Sequence, residues 1–115
     1  MIPFDTRIDS TSDTFATQRA GMQALTDRLR ALEQRAVDAS SRARSSFQKR
    51  GALLPRERVA CLLDPGAPFL PLATLAGYGL DDPNPDTSIP GGSLVAGIGF
   101  VSGVRCMVLA TDSGI

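Results

Sequence analysis

The stretch Arg50-Gly51-Ala52-Leu53-Leu54-Pro55-Arg56-Glu57-Arg58-Val59-Ala60-Cys61-Leu62-Leu63-Asp64-Pro65-Gly66 is punctuated at both ends. Gly51 closes a helix arriving from upstream, because glycine tolerates the left-handed conformation that follows a last turn. Pro55 suits the first turn of a second helix, where its missing N–H would have been unpaired anyway. Arg56 to Leu63 then carries Val59, Leu62 and Leu63 on one side. Asp64-Pro65-Gly66 stops this helix, since proline cannot continue the hydrogen-bond ladder and glycine turns freely.

Upstream, Ser12 or Asp13 can cap a helix by accepting from the amides of its first turn. Phe15, Met22, Leu25, Leu29, Leu32, Ala36, Ala39, Ala43 and Phe47 recur at steps of three, four or seven, which places them on one helical stripe. Asp38 and Arg42 stand at the favourable i, i+4 spacing, and Gly21 weakens the helix by about 1 kcal/mol relative to Ala. So long a helix with so narrow a stripe requires a partner surface. Its far end, Ala39 to Ser46, dwindles to small residues that admit close approach by another backbone. The expectation is a helix that docks a partner or a second subunit, in preference to the alternative of a helix packed on its own domain. The chain thus divides into an extended arm over 1–12, a long amphipathic helix over 13–50 and the start of a further domain over 51–115.

Downstream, Phe69 to Leu75 is a short apolar segment, either strand or loop. Gly77 to Gly92 is rich in Pro, Gly, Asp and Asn and reads as a surface loop. Leu94 to Phe100 and Val104 to Thr111 are apolar runs flanking Val101-Ser102-Gly103, the pattern of a hairpin with a glycine-containing turn. The second run is apolar on both faces after Arg105, which calls for cover on both sides, as inside an α/β sheet. Nothing in the five residues after Ala110 supplies that cover, so the strand is expected to belong to a larger domain.

Of 115 residues, 43% are hydrophobic and 21% charged, enough apolar content for a folded domain. Twelve basic and twelve acidic residues balance, against the basic excess of a nucleic-acid binder. No apolar run reaches the roughly 20 residues of a membrane-spanning helix. The balance hides a segregation: residues 19–58 carry nine Arg and Lys49 against four acids, a net of +6, and the remainder a net of −6. Such a basic middle is a solvated face or a docking surface for an anionic partner. Without histidine, a Ser-His-Asp triad, a Cys-His pair and a His-ligated zinc are excluded within these residues. Cys61 and Cys106 lie in apolar runs and are expected as buried free thiols, which suits a reducing compartment. The start has neither a secretory nor an organellar leader pattern. With Arg preferred to Lys by eleven to one, this points to a bacterial cytoplasm.

The quoted stretch resembles the opening of the carboxyltransferase (beta) subunit of biotin-dependent acyl-CoA carboxylases. There a Gly-Lys-Leu-x-x-Arg-Glu-Arg-Ile helix precedes Leu-Leu-Asp-x-Gly and a Phe. Phe69 stands at that aromatic, and Ile89-Pro90-Gly91-Gly92 resembles the family's glycine-rich approach to its first hairpin. Gly97-Ile98-Gly99 and Val101-Ser102-Gly103 match that hairpin, and Asp112 matches the Asp that closes its strand. The resemblance covers residues 47–115. Ala52 departs from the usual Lys, Pro71 from a common Glu, and Asp112-Ser113-Gly114-Ile115 from an Asp-x-Thr-x ending. Leu53-Leu54-Pro55-Arg56-Glu57-Arg58 and Ala76-Gly77-Tyr78 are most similar to the methylcrotonoyl-CoA and geranyl-CoA branch, and the Asp-Ser-Gly-Ile ending tips the comparison towards geranyl-CoA.

The resemblance implies an α/β fold: the N-terminal helices and first β-hairpin of a crotonase-like carboxyltransferase domain, incomplete in these residues. It implies carboxyl transfer from carboxybiotin, carried by a partner alpha subunit, to an unsaturated acyl-CoA within a homo-oligomer of beta subunits. No nucleic acid or membrane partner is implied. The family's oxyanion holes for the thioester enolate and the biotin ureido oxygen are expected downstream of residue 115, so no catalytic residue is assigned. Arg56 and Arg58, with Lys49 and Arg50 nearby, are candidates for CoA phosphates, because guanidinium groups grip phosphate oxygens in bidentate fashion. The Arg-Glu-Arg arrangement serves equally well as an internal anchor for its helix. The alternative reading, from a different class, is that the chain is a stand-alone helical docking module that borrowed this opening and has no catalysis.

Overall fold

The computed structural model describes residue 3 and residues 5–115. The expected arm over 1–12 is exposed and irregular where described; Met1, Ile2 and Phe4 lie outside the described residues. The chain forms two compact units, residues 1–31 and 32–115.

Helix α1 spans Asp13–Arg42, with residues 13–31 in the first unit and 32–42 in the second. Ser12 caps it: its Oγ accepts from the Phe15 amide at 3.2 Å, satisfying a donor the first turn leaves free. Asp9 prepares the cap by accepting from both the amide and the hydroxyl of Thr11, and the hydroxyl bond holds its carboxyl below the usual aspartate range.

The sequence predicts one helix over 13–50, but the structure interrupts it at Ala43. There the Ala43 amide turns to the Ser40 carbonyl, and a short helix, α2, restarts over Arg44–Lys49. The poor helix formers Ser40, Ser41, Ser45 and Ser46 flank the break. Gly51, at φ 66°, then closes α2. Its amide bonds Gln48 O and the Ala52 amide bonds Phe47 O, the paired bonds of a Schellman end. Asp38 accepts from Gln34 Nε2 at 2.8 Å, and the ion pairs among the described residues do not include the expected Asp38–Arg42.

Helix α3 spans Pro55–Leu62. Val59 is buried and Leu63 packs beside it, whereas Leu62 is exposed and off the shared face expected for the three. Leu63, the extended residue that ends the helix, packs on the Val59 cluster, while Leu62 in the last turn is left exposed. Cys61, two residues from Val59 and hence on the opposite side, is exposed rather than buried as expected. Cys106 is half-buried, and both thiols are free.

Three antiparallel strands follow in the order β1 (Leu70–Leu72), β2 (Leu94–Val101), β3 (Val104–Thr111). The β2–β3 turn is two residues, Ser102 and Gly103, both at positive φ, which matches the twist of paired strands. Asp64, just after α3, accepts from both turn amides at 2.7 Å and gives its own amide to Phe100 O. The stop signal of one element thereby fastens the hairpin.

One sheet face meets α3: Val95 and Val108 are buried with Val59, and Leu63, Phe69, Cys106 and Ala110 pack around them. Gly97 and Gly99 lie where that cover is tightest. A Cβ on Gly97 would strike the Phe69 ring and stand 2.7 Å from the Leu70 carbonyl; one on Gly99 would stand 2.5 Å from Leu63. On the other face Leu70, Ile98 and Met107 are in register, as are Leu72, Ala96 and Leu109. Leu70, Leu94, Met107 and Leu109 are exposed there. The cover expected on both faces of the last strand is thus present on one, and among the described residues β3 pairs only with β2.

The loop before β2 is more than a surface loop. Residues 77–87 are largely exposed, but Ser88, Pro90 and Gly91 are buried. Arg35 Nη1 donates to the carbonyls of Pro85 and Ser88, and Gly91 passes close to the Ala36 methyl. The small residues of α1 therefore admit their own unit's backbone. For Ala36 and Ala39 that corrects the expectation of an outside partner.

Candidate functional site

Among the described residues Asp112 is the one acidic side chain with no exposure, and it lies directly after β3. Its amide bonds Ser93 O at 2.7 Å, continuing the hairpin ladder by one pair. Its carboxylate accepts from Ser40 Oγ at 2.7 Å and from Arg56 Nε at 3.1 Å. A longer contact, 3.4 Å, comes from the Gly114 amide. A carboxylate taken out of water is expensive unless paired and hydrogen-bonded, and both conditions are met here. The knot joins α1, α3 and the end of the sheet through residues 40, 56 and 112. Gly114 completes it sterically, since a Cβ there would stand 2.7 Å from the Ser40 carbonyl.

A second charged contact holds the start of α3. Glu57 accepts from the Leu54 amide at 3.0 Å and from Arg44 Nη1. This is half a capping box, because leucine has no oxygen to return the bond. The backbone bond to Leu54, then the bond to Arg44, holds the Glu57 carboxyl below the ordinary glutamate range.

Between α3 and β3 lies an open groove of about 520 Å³, lined by Arg58, Val59 and Leu62 on the helix and by residues 108–111 and Ser113 on the strand side. The structure therefore separates the two candidate arginines. Arg58 is exposed on this groove, while Arg56, its side chain 34% accessible, is bonded to Asp112. Lys49, the last residue of α2, and Arg50, just after it, are exposed, and the Arg50 guanidinium lies 4.7 Å over the Phe47 ring. The internal-anchor reading of the Arg-Glu-Arg run describes Arg56 and Glu57. Among the described residues there is no cluster of three His, Cys, Asp or Glu suited to a metal, and no helix is long and apolar enough to cross a membrane. Sequence reading missed the Ser40–Asp112–Arg56 knot. Its only signal was a single acid directly after an apolar strand.

Residues 46–115 match the carboxyl transferase domain family, and the chain belongs to that family. It is 49% identical over 80 residues, 70% of its length, to the biotin-dependent 3-methylcrotonyl-coenzyme A carboxylase beta1 subunit of Mycobacterium tuberculosis. Over 107 residues, 91% of its length, it is 35% identical to the mitochondrial methylcrotonoyl-CoA carboxylase beta chain of Arabidopsis thaliana. The crystal structure of the geranyl-CoA carboxylase beta subunit of P. aeruginosa superimposes with a TM-score of 0.86 and 47% identity over 97% of the chain. These matches span only 14%, 17% and 20% of the respective relatives. They agree with the expected fold, the opening helices and hairpin of a crotonase-like carboxyltransferase domain.

Proposed function

We propose that the chain is part of a carboxyltransferase subunit that transfers a carboxyl group from carboxybiotin to an unsaturated acyl-CoA, with geranyl-CoA favoured over 3-methylcrotonyl-CoA. The observation that carries this reading is the 47% identity maintained over 97% of the chain against a geranyl-CoA carboxylase beta subunit. The methylcrotonyl-CoA relative reaches similar identity over a shorter part. In this reading a biotin-carrying alpha subunit and further beta subunits are partners, and the setting is cytoplasmic, in keeping with two free thiols.

Biotin supplies the carboxyl group in such an enzyme. Every buried side-chain polar atom among the described residues already has a hydrogen-bond partner, so these residues hold no spare buried side-chain donor for a ureido oxygen. No step of the transfer is therefore assigned to them, and the 115 residues alone are expected to be inactive. What they contribute is a framework: the Asp112 knot fixes where the chain leaves the sheet. Of the two arginines proposed for CoA phosphate, Arg58 is the better placed, because its guanidinium is not committed to an acid.

The test is carboxylation of geranyl-CoA against 3-methylcrotonyl-CoA by the full-length subunit with its biotin-bearing partner. Higher kcat/KM for geranyl-CoA supports the assignment, and preference for 3-methylcrotonyl-CoA overturns it. Arg58→Ala should raise the acyl-CoA KM in that assay, and an unchanged KM removes the phosphate role.

A further inference from the structure

The apolar stripe of α1 has two fates. Ala36 and Ala39, in the second unit, are 3% and 5% exposed; Met22 and Leu25, in the first, are 65% and 62% exposed. Phe15, Met22 and Leu29 stand at seven-residue steps with Leu25 between them, the spacing of a seam that receives another helix. From Phe15 to Leu29 the seam extends about 21 Å at 1.5 Å per residue, roughly four turns. A helix face has no unpaired backbone to offer an extended peptide, so its ligand must match side chains to side chains.

Charge specifies the ligand further. Arg19 and Arg28 occupy the positions that flank such a seam, and from Phe15 to Arg30 three arginines stand against Asp27 alone. A groove of about 560 Å³ is lined by Ile8, Phe15 and Met22 together with Arg19 and Arg30, and no acid lines it. Arg30 does meet Asp27 at 3.7 Å, but both are exposed, and such a pair contributes little. A second copy of the chain would bring like charges to the same seam.

We infer that residues 15–30 of α1 form a docking surface for an amphipathic helix of another protein, apolar along one stripe and flanked by Asp or Glu. The probe is a fluorescent four-heptad peptide with Leu at both core positions and Glu at both flanking positions, compared with a twin carrying Lys at the flanks. With the full chain, anisotropy should report binding of the Glu peptide at least about tenfold tighter than the Lys peptide. Leu25→Gln, which keeps a good helix former, should abolish binding, and combined Arg19→Glu and Arg28→Glu should reverse the preference while leaving the apolar seam intact. Equal affinity for the two peptides, no binding of either, or a preference unmoved by charge reversal overturns the inference. So does self-association in sedimentation that Leu25→Gln eliminates, which would make a second copy the occupant.

Discussion

Arg56 and Asp112, far apart in sequence, meet at 3.1 Å with the carboxylate fully buried and the guanidinium one-third accessible. Removing the arginine leaves a buried charge with the Ser40 hydroxyl as its remaining short contact. Breaking a buried pair costs about 3–5 kcal/mol, and the accessibility of Arg56 places this one near the lower end. Arg56→Ala should therefore lower the thermal midpoint by well over 10 °C, at about 4–8 °C per kcal/mol for a domain of this size. Ser40→Ala should cost less, and the double variant less than the sum, because both residues act on one carboxylate. Additive losses in a thermal double-mutant cycle would contradict the shared knot.

The hairpin turn depends on Asp64. Asp64→Ala removes the acceptor of two turn amides at once, each a charge-assisted bond worth about 1.5–3 kcal/mol. Hydrogen exchange at Ser102 and Gly103 should accelerate more than at the Val95 and Val108 amides. Uniform acceleration would mean that the turn is held by the strands alone.

Acid should selectively release the start of α3. The Glu57 carboxyl titrates lower in the folded chain than its ordinary value, through the Leu54 amide and then Arg44. A depressed folded pKa contributes stability that is complete above the unfolded value, about 4.3, and is lost as pH falls through the folded one. The stability gap between the native chain and Glu57→Gln should thus be constant from pH 7 to about pH 5 and shrink below about pH 4. A gap that persists to pH 2 would assign the effect to packing rather than charge.

Gly97 is expected to resist even a methyl group. A Cβ there meets the Phe69 ring and, less avoidably, the Leu70 carbonyl. Gly97→Ala should cost about 1–3 kcal/mol by overpacking, whereas Gly21→Ala, with open space around it, should stabilise by about 1 kcal/mol. Chemical denaturation of the two variants should move the midpoint in opposite directions.

Local chemistry was legible in the sequence where it acts over a few residues. Gly51, Pro55 and Gly103 each do what their backbone preferences dictate, Ser12 caps through its hydroxyl as expected, and the hairpin follows from two apolar runs. Contacts across tens of residues were not legible. Nothing near Asp64 shows that its carboxylate reaches Gly103, and nothing near Ser40 announces Asp112. The break at Ala43 escaped detection because the apolar stripe continues through it to Phe47, and periodicity cannot register a single tightened turn. Loop composition likewise suggested exposure for Ser88 to Gly91, where Arg35 draws the backbone inward. Of the two candidate arginines, the sequence offers equal chemistry; only the position of Asp112 distinguishes them.

The bare sheet face sets a problem in time. A β-hairpin closes in about 1–10 μs, while synthesis adds only about 5–20 residues per second. Once Thr111 has cleared the ribosome, β2 and β3 are paired before even one more residue can be added. Leu94, Met107 and Leu109 are then exposed beside a strand edge that is unpaired among the described residues, an arrangement prone to recruit other strands. Whatever covers that face therefore arrives after the hairpin has closed.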